Sequence, residues 1–513
     1  MELYAWQRDC LEAWEANGSR GIVNAVTGAG KTVLALAAID RLRRRFPNLR
    51  VKVLAPTIPL ASQWSTVLRH YAPSEAWRPG FFGGGNRDDP EKLVMVYIVN
   101  SARDALAGHM RREIALGRHV LLICDECHHY TSPQNRRVFD FFDEAVEAGG
   151  LYACLGLSAT PAAEGEGGGL LCRALGGEVY RYGFDAAARQ GVIAPFLLGE
   201  VSASFLPEEL LEYGRLSREI GTALGRLLSE RPKLRKLEGR EFMMEVQTLA
   251  RQAGMDRSEA AADFLLKTYE RKKLTNTAYA RVCCGMAILE CLPPSDRVLV
   301  FCERIEQARQ MAEAARRRWG NAAGIYHSKL TREARARNLR DFRDRRTRIL
   351  VSCRCLDEGL DVPDANVGIV LSGSAVERQR VQRLGRLIRA SAEKDAAVLY
   401  YIYIRESTDD AAYLPGLRVS DTFALRYDSY DGSFSAELYE YAAAQLLERA
   451  RSRGCTQAQL REMRRCLMEG LLRGDCLLPS EALERRVRAC RGRHEENYWR
   501  VMRKLGGMFR GEA

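Results

Sequence analysis

Residues Ala25–Thr32 read AVTGAGKT, set between an apolar run at Gly21–Ala25 and the helical stretch that opens with Val33–Ile39. Strand, glycine-rich turn and helix in that order are what a phosphate-cradling loop requires. Glycines let the backbone turn its amides inward around a phosphate chain. In this reading Thr27, Gly28, Ala29, Gly30, Lys31, Thr32 and Val33 form a nucleotide-binding loop. Lys31 would neutralise the β and γ phosphates, and the Thr32 hydroxyl would bind Mg2+. The common form of the motif begins with glycine, where this chain has Ala25. The plainer reading is a glycine-rich turn ahead of a helix, and the correct placement of GKT weighs against it.

Two further stretches bear on the same chemistry. The run VLLICDEC ends an apolar strand with Asp125 and Glu126. An aspartate there can hold the magnesium shell, and the glutamate beside it can orient and deprotonate an attacking water. Alone, the pair could as readily cap the next helix. Downstream, QRLGRLIR spans residues 382–389. Gln382, Arg386 and Arg389 are spaced by four and three and share one helix face, while Val381, Leu384 and Ile388 lie on another. Arginines on a helix are usually a solvated face. With the other two motifs present, they could reach a γ-phosphate from a second domain and stabilise transition-state charge.

The bulk properties set limits. At 513 residues the chain has room for three or four packed units. Its 46% hydrophobic and 28% charged content is that of a folded globular protein. A formal charge of +12 favours a polyanionic partner. No apolar stretch approaches a membrane span, and the start, MELYAWQRDCLEAW, has no signal-peptide pattern. The 15 cysteines have no framework or zinc-site spacing. They read as reduced thiols of a cytoplasmic protein.

Four regions are expected. Residues 1–200 alternate short apolar runs with helical segments, the pattern of a parallel α/β sheet. Strands are expected at Gly21–Ala25, Val51–Ala55, Val94–Val99, His119–Cys124 and Tyr152–Leu157. Residues 201–294 read as a helical insert, with Leu210, Leu211, Leu216, Ile220, Leu224, Leu227 and Leu228 at helical spacing and a basic cluster at Arg271–Lys273. Residues 295–407 resume the alternation, with strands at Arg297–Cys302, Ile349–Ser352, Val367–Leu371 and Ala397–Ile404. Residues 408–513 read as arginine-rich helices, with a stop at Gly454 and a capping-box restart at Thr456-x-x-Gln459. A basic stretch, Arg485 to Arg493, precedes Tyr498 and Trp499. It could bind duplex backbone, dock a protein partner or pack on the second α/β domain.

Taken together, these motifs resemble the superfamily 2 helicases and translocases. Ala55–Thr57 resembles motif Ia, Ser158–Pro161 (SATP) motif III, DEGLDVP at 357–363 motif V and QRLGRLIR motif VI. Phe301–Glu303 and His327–Ser328 sit where motif IV and its neighbour belong. The start, Tyr4-x-Trp6-Gln7, resembles the glutamine motif that reads adenine. DEGLDVP with QRLGR is more like the XPB-like and RadD-like DNA translocases than the DEAD-box RNA helicases; DECH also occurs in double-stranded-RNA sensors. The resemblance implies an α/β fold of two RecA-like parallel-sheet domains with a helical insert and a helical C-terminal region. It implies ATP and Mg2+ as cofactors and DNA as partner. Lys31, Glu126, Gln382, Arg386 and Arg389 would be catalytic; Thr32 and Asp125 would bind metal; Tyr4, Gln7, Gly359 and Asp361 would join the loop in binding nucleotide. Thr57, Asn100, Ser101, His128, Ser158, Thr160 and Cys353 would contact nucleic acid or couple it to the nucleotide. The expected activity is a nucleic-acid-stimulated ATPase that translocates on DNA, in repair or in defence against mobile elements. The alternatives are a duplex-RNA-dependent ATPase and an ATP-clamped scaffold.

Overall fold

The computed structural model describes residues 2–147, 149–159, 166–193, 196–252, 258–353, 365–372, 397–408, 422–435 and 437–510. The chain divides into two compact units, one built chiefly on Met1–Phe196 and the other on Leu197–Cys353 and Val398–Ala513.

The first unit is an eight-stranded sheet made from β1 (Arg20–Ala25), β2 (Arg50–Ala55), β3 (Gly80–Gly83), β4 (Asn86–Arg87), β5 (Val94–Ile98), β6 (Val120–Cys124), β7 (Tyr152–Ser158) and β8 (Glu178–Tyr182). Their order is β4-β3-β5-β2-β6-β7-β1-β8. All pairings are parallel except the short β3–β4 hairpin. The central strands β2, β5 and β6 are buried along their lengths, apart from the first residue of β2. That burial explains why they read as continuous apolar runs rather than alternating ones. All five strands expected in this region are present within a residue or so at each end, whereas β3, β4 and β8 are additional. Lys52 of β2, fully buried, donates to Glu113 Oε1 at 2.9 Å and to the Pro90 carbonyl at 2.5 Å. A buried cation must be paired in this way.

The second sheet comprises β9 (Phe196–Ala203), β10 (Val298–Cys302), β11 (Ala323–Tyr326), β12 (Ile349–Cys353), β13 (Val367–Val370), β14 (Ala397–Ile404), β15 (Thr422–Tyr427) and β16 (Phe434–Ser435), in the order β11-β12-β10-β13-β14-β9-β15-β16. The four strands expected between 297 and 404 are all found. Two expectations need correction. Residues 408–513 are not helical throughout, because β15 and β16 extend this sheet. Likewise β9 belongs to the second sheet, although most of it falls inside residues 1–200. Its register runs from Leu198 opposite Thr422 to Ala203 opposite Tyr427. A partner more than 200 residues away leaves no local signature in either segment.

Between β9 and β10 lie the helices Pro207–Glu230, Gly239–Arg251, Glu259–Thr277 and Tyr279–Cys291. The first three share a small core of their own around Ile220, Leu227, Leu234, Val246 and Phe264. Of the apolar residues expected at helical spacing, Leu216, Ile220 and Leu227 are buried, but Leu210 and Leu211 stand 57% and 75% exposed. Those two precede the part of the helix that faces this core. Arg281, on the last of these helices, is buried and donates to the carbonyls of Thr275, Leu371 and Ile402 at 2.6–2.8 Å. It thereby ties that helix to the ends of β13 and β14.

C-terminal helices at Glu437–Ser452, Gln457–Arg473, Ser480–Ala489 and Arg493–Arg510 complete the second unit. The capping box is formed, with Thr456 N donating to Gln459 Oε1 and Gln459 N to Thr456 Oγ1. Tyr498 and Trp499 are both buried, and the Tyr498 hydroxyl donates to Asp475 Oδ2, so these two side chains pack among the C-terminal helices. The Tyr400 hydroxyl of β14 donates to the Leu472 carbonyl, joining these helices to the second sheet. No helix of the described residues is long and apolar enough to cross a membrane.

Candidate nucleotide and nucleic-acid site

In the first sheet the four neighbouring strands β2, β6, β7 and β1 end side by side. Because they are parallel, the residues at and just past their ends share one edge of the sheet, where open α/β folds bind ligands. Those residues are Thr57, Asp125–Glu126, Ser158 and the loop Val26–Lys31. Motifs scattered over more than 130 residues of sequence are thus collected along one line.

The loop turns through Gly28 and Gly30, at φ 89° and 93°. Side chains rarely adopt that backbone, and a Cβ on Gly30 would lie 2.8 Å from Gln7 Nε2. The helix Lys31–Arg45 starts directly after it, so its first amides and positive dipole end face the turn. Lys31 Nζ donates to the Ala25 carbonyl at 3.0 Å, and Thr32 and Val33 follow, half-buried, in the first helical turn. Thr27 Oγ1 is buried with no hydrogen-bond partner among the described residues, and Ala29 is buried behind it. The loop is braced from the N-terminus. Gln7, fully buried, accepts the Tyr4 N–H on Oε1 and donates from Nε2 to the Gly30 carbonyl. The Tyr4 ring itself is half-exposed, while Trp6 stacks on Tyr182 of β8 at 4.6 Å and 10°.

Beside the loop, Glu126 holds a left-handed backbone, φ 46° and ψ 53°. A non-glycine residue there is strained, a feature that clusters at functional sites. Asp125 is buried. Its Oδ2 accepts the Trp64 indole N–H at 2.7 Å and its Oδ1 the Glu126 N–H at 3.1 Å. Burial, reinforced by the Glu126 charge, pushes the Asp125 carboxyl up to about 6, while the Trp64 hydrogen bond and the Lys31 ammonium hold it back. Glu126 Oε2 lies 3.4 Å from His128 Nδ1, and the same nitrogen is 3.0 Å from Ser158 Oγ. His128 and Ser158 are both buried, so they join the second and third motifs to each other and offer no outward surface. An all-oxygen donor set of a threonine hydroxyl and an aspartate carboxylate suits a hard divalent cation, and the glycine turn suits a triphosphate.

Thr57 stands at the N-cap position of the helix Ile58–Tyr71, and its Oγ1 is buried without a hydrogen-bond partner among the described residues. Asn100 and Ser101 are exposed, with Asn100 Oδ1 accepting from Arg103 Nη2 at 2.6 Å. Cys353, at the end of β12 in the second unit, is buried, so its thiol offers almost no surface for a strand. Glu303 is bound into a ring with Asn276, Gln307 and Ser372. His327 is buried, whereas Ser328 is exposed. Thr160, Gly359, Asp361, Gln382, Arg386 and Arg389 lie outside the described residues. Sequence reasoning missed Trp64 and Tyr130. The Tyr130 hydroxyl lies within hydrogen-bonding distance of the carbonyls of Leu54 and Asp125. Both side chains read as ordinary core aromatics, and nothing in their spacing points to a carboxylate.

Residues 1–163 match the family model described as "Type III restriction enzyme, res subunit", and residues 283–391 match "Helicase conserved C-terminal domain". The chain is 27% identical over 410 residues to "DNA 3'-5' translocase XPB2" of Sulfurisphaera tokodaii, covering 80% of this chain and 83% of that protein. It is 26% identical over 407 residues to "Putative DNA 3'-5' helicase Rad25" of Haloarcula marismortui, covering 78% of this chain and 52% of that protein. The crystal structure of the Pyrococcus furiosus Hef helicase domain matches with a TM-score of 0.50 at 16% identity, covering 81% of this chain and all of that one. That likeness establishes the helicase-type, RecA-like fold.

Proposed function

We propose that this superfamily 2 helicase, most like the XPB and Rad25 proteins, is an ATP-dependent DNA translocase or helicase, with repair as its setting. The observation that carries the reading is the shared strand edge. Along it the glycine turn Val26–Lys31, the acidic pair Asp125–Glu126, the buried His128–Ser158 link and the Thr57 helix start lie at the ends of neighbouring strands, which supports reading the turn as a phosphate loop.

In this scheme Gly28 to Thr32 cradle the triphosphate through backbone amides, and Lys31 swings from the Ala25 carbonyl to the β and γ phosphates. Thr32 and Asp125 hold the Mg2+ that, when bound, neutralises charge on the phosphates. Glu126 orients the attacking water and takes its proton, with its carboxylate steadied beside His128. Arg386 and Arg389 stabilise charge on the γ-phosphate in the transition state, and Gln382 helps to orient the attack. Gln7 and Tyr4 flank the adenine. Gly359, Asp361 and Thr160 relay nucleotide state to the bound strand. Thr57, Asn100 and Ser101 meet the nucleic-acid backbone, chiefly at phosphates, so little base preference is expected. The exposed arginines near Arg485–Arg493 offer a site for a protein partner, and the cytoplasm is the proposed compartment.

The test is steady-state ATP hydrolysis with no nucleic acid, single-stranded DNA, duplex DNA and duplex RNA. Stimulation by DNA, falling steeply as salt rises, is the expected result. Stimulation by duplex RNA alone would overturn the DNA assignment, and none by any nucleic acid would overturn the translocase reading.

A further inference from the structure

The helix Ile58–Tyr71 has Thr57 at its start and Trp64 two turns on, within its buried face with Ala61, Ser65 and Leu68. On that face Trp64 donates a hydrogen bond to a carboxylate, that of Asp125. Three bonds tie this part of the chain to the end of β6. The Asp125 N–H donates to the Leu54 carbonyl at 3.0 Å, the Tyr130 hydroxyl lies between the carbonyls of Leu54 and Asp125, and Trp64 Nε1 donates to Asp125 Oδ2 at 2.7 Å. The first two fix backbone. Only the third reaches an oxygen that could bind a cation. An indole N–H is a donor alone, so it orients a carboxylate without competing for metal or taking up its proton. The second Asp125 oxygen is held by the Glu126 N–H, which leaves the carboxylate plane defined from both sides.

We propose that Trp64 is a positioning residue. Its N–H sets the orientation of the Asp125 carboxylate. Because it rides on the helix that begins at Thr57, it also links events at that nucleic-acid contact to metal-dependent hydrolysis. This rests on the ATPase reading above and deepens it.

Trp64→Phe keeps an aromatic ring and removes the donor. Binding of a fluorescent ATP analogue is titrated with Mg2+, and thermal unfolding is followed in parallel. The half-saturating Mg2+ concentration should rise roughly tenfold, the size expected for loss of a hydrogen bond to a charged group. Binding without Mg2+ should stay at the wild-type value, while the unfolding midpoint should fall by a few degrees because a buried acceptor loses its donor. In the cycle with Asp125→Asn, the double variant should match Asp125→Asn alone, as for residues acting through one group. Stimulation of hydrolysis by duplex DNA should fall about tenfold in Trp64→Phe, a loss of hydrogen-bond size passed on to the stimulated rate. A titration that superimposes on wild type, or additive effects in the cycle, would overturn the proposal. Should Trp64→Phe fail to fold, Trp64→His retains a ring N–H. A Mg2+ response within threefold of wild type supports the proposal, and a full tenfold loss overturns it. If the wild-type protein hydrolyses no ATP with any nucleic acid, the translocase reading fails, while the Mg2+ titration still decides the role of Trp64.

Discussion

The first sheet draws its eight strands from one continuous stretch, Arg20 to Tyr182. The second collects its eight from Phe196 to Ser435 and, among the described residues, sets four α-helices between its first strand and the next. In the first, successive parallel crossovers bring strand ends together, and the residues just past those ends carry the chemistry. In the second, an edge is closed by segments far apart in sequence, as where Ser202 Oγ donates to the Leu425 carbonyl. Point changes should therefore separate the two. At the strand ends of the first sheet they should remove activity with little loss of stability, and in the packed interior of the second unit the reverse.

The largest effect is expected at Lys31. Lys31→Ala should lower ATP turnover by about 10³-fold or more, since a phosphate-binding cation at the reacting group is removed. Its unfolding midpoint should stay close to wild type, and steady-state turnover with calorimetry checks both. Arg386→Ala should cost a factor of order 10³ in turnover if it acts on transition-state charge, with nucleotide binding retained. Undiminished turnover would remove it from the mechanism.

In the second unit the same logic runs through stability. Arg281→Leu would strand the carbonyls of Thr275, Leu371 and Ile402 in the interior, at a cost of about 3 kcal/mol or more. Denaturant unfolding would show it, and nucleotide binding by the first unit should be unaffected. Leu227→Ala empties part of the small helical core and should cost about 2–3 kcal/mol. Nucleotide binding that fell in parallel would break the contrast between the units. The smallest change is expected at Leu211, which is 75% exposed. Leu211→Ser should shift stability by no more than about 0.5 kcal/mol. A larger loss would place Leu211 in the core that its spacing alone suggests.

The glycines and GKT of residues 28–32, the acidic pair after an apolar strand, and the central strands of both sheets were legible without coordinates. Each is a local pattern: a run whose faces are both buried, or a turn that only glycine allows. Strands β8, β9 and β15 were not legible, because their pairing is decided by distant partners. Leu210 and Leu211 illustrate the same limit. Their helical spacing is real, yet whether a stripe is covered depends on what packs against it.

The residue types at the strand ends thus followed from the chain itself, since phosphate, metal and water chemistry demand those side chains beside a glycine turn. Tertiary structure alone decided that β2, β6, β7 and β1 stand next to one another, that Trp64 reaches Asp125, and that His128 meets Ser158. Those relations depend on strand order and helix packing. These are set by burial summed over the whole sheet, and no short window of sequence encodes that sum.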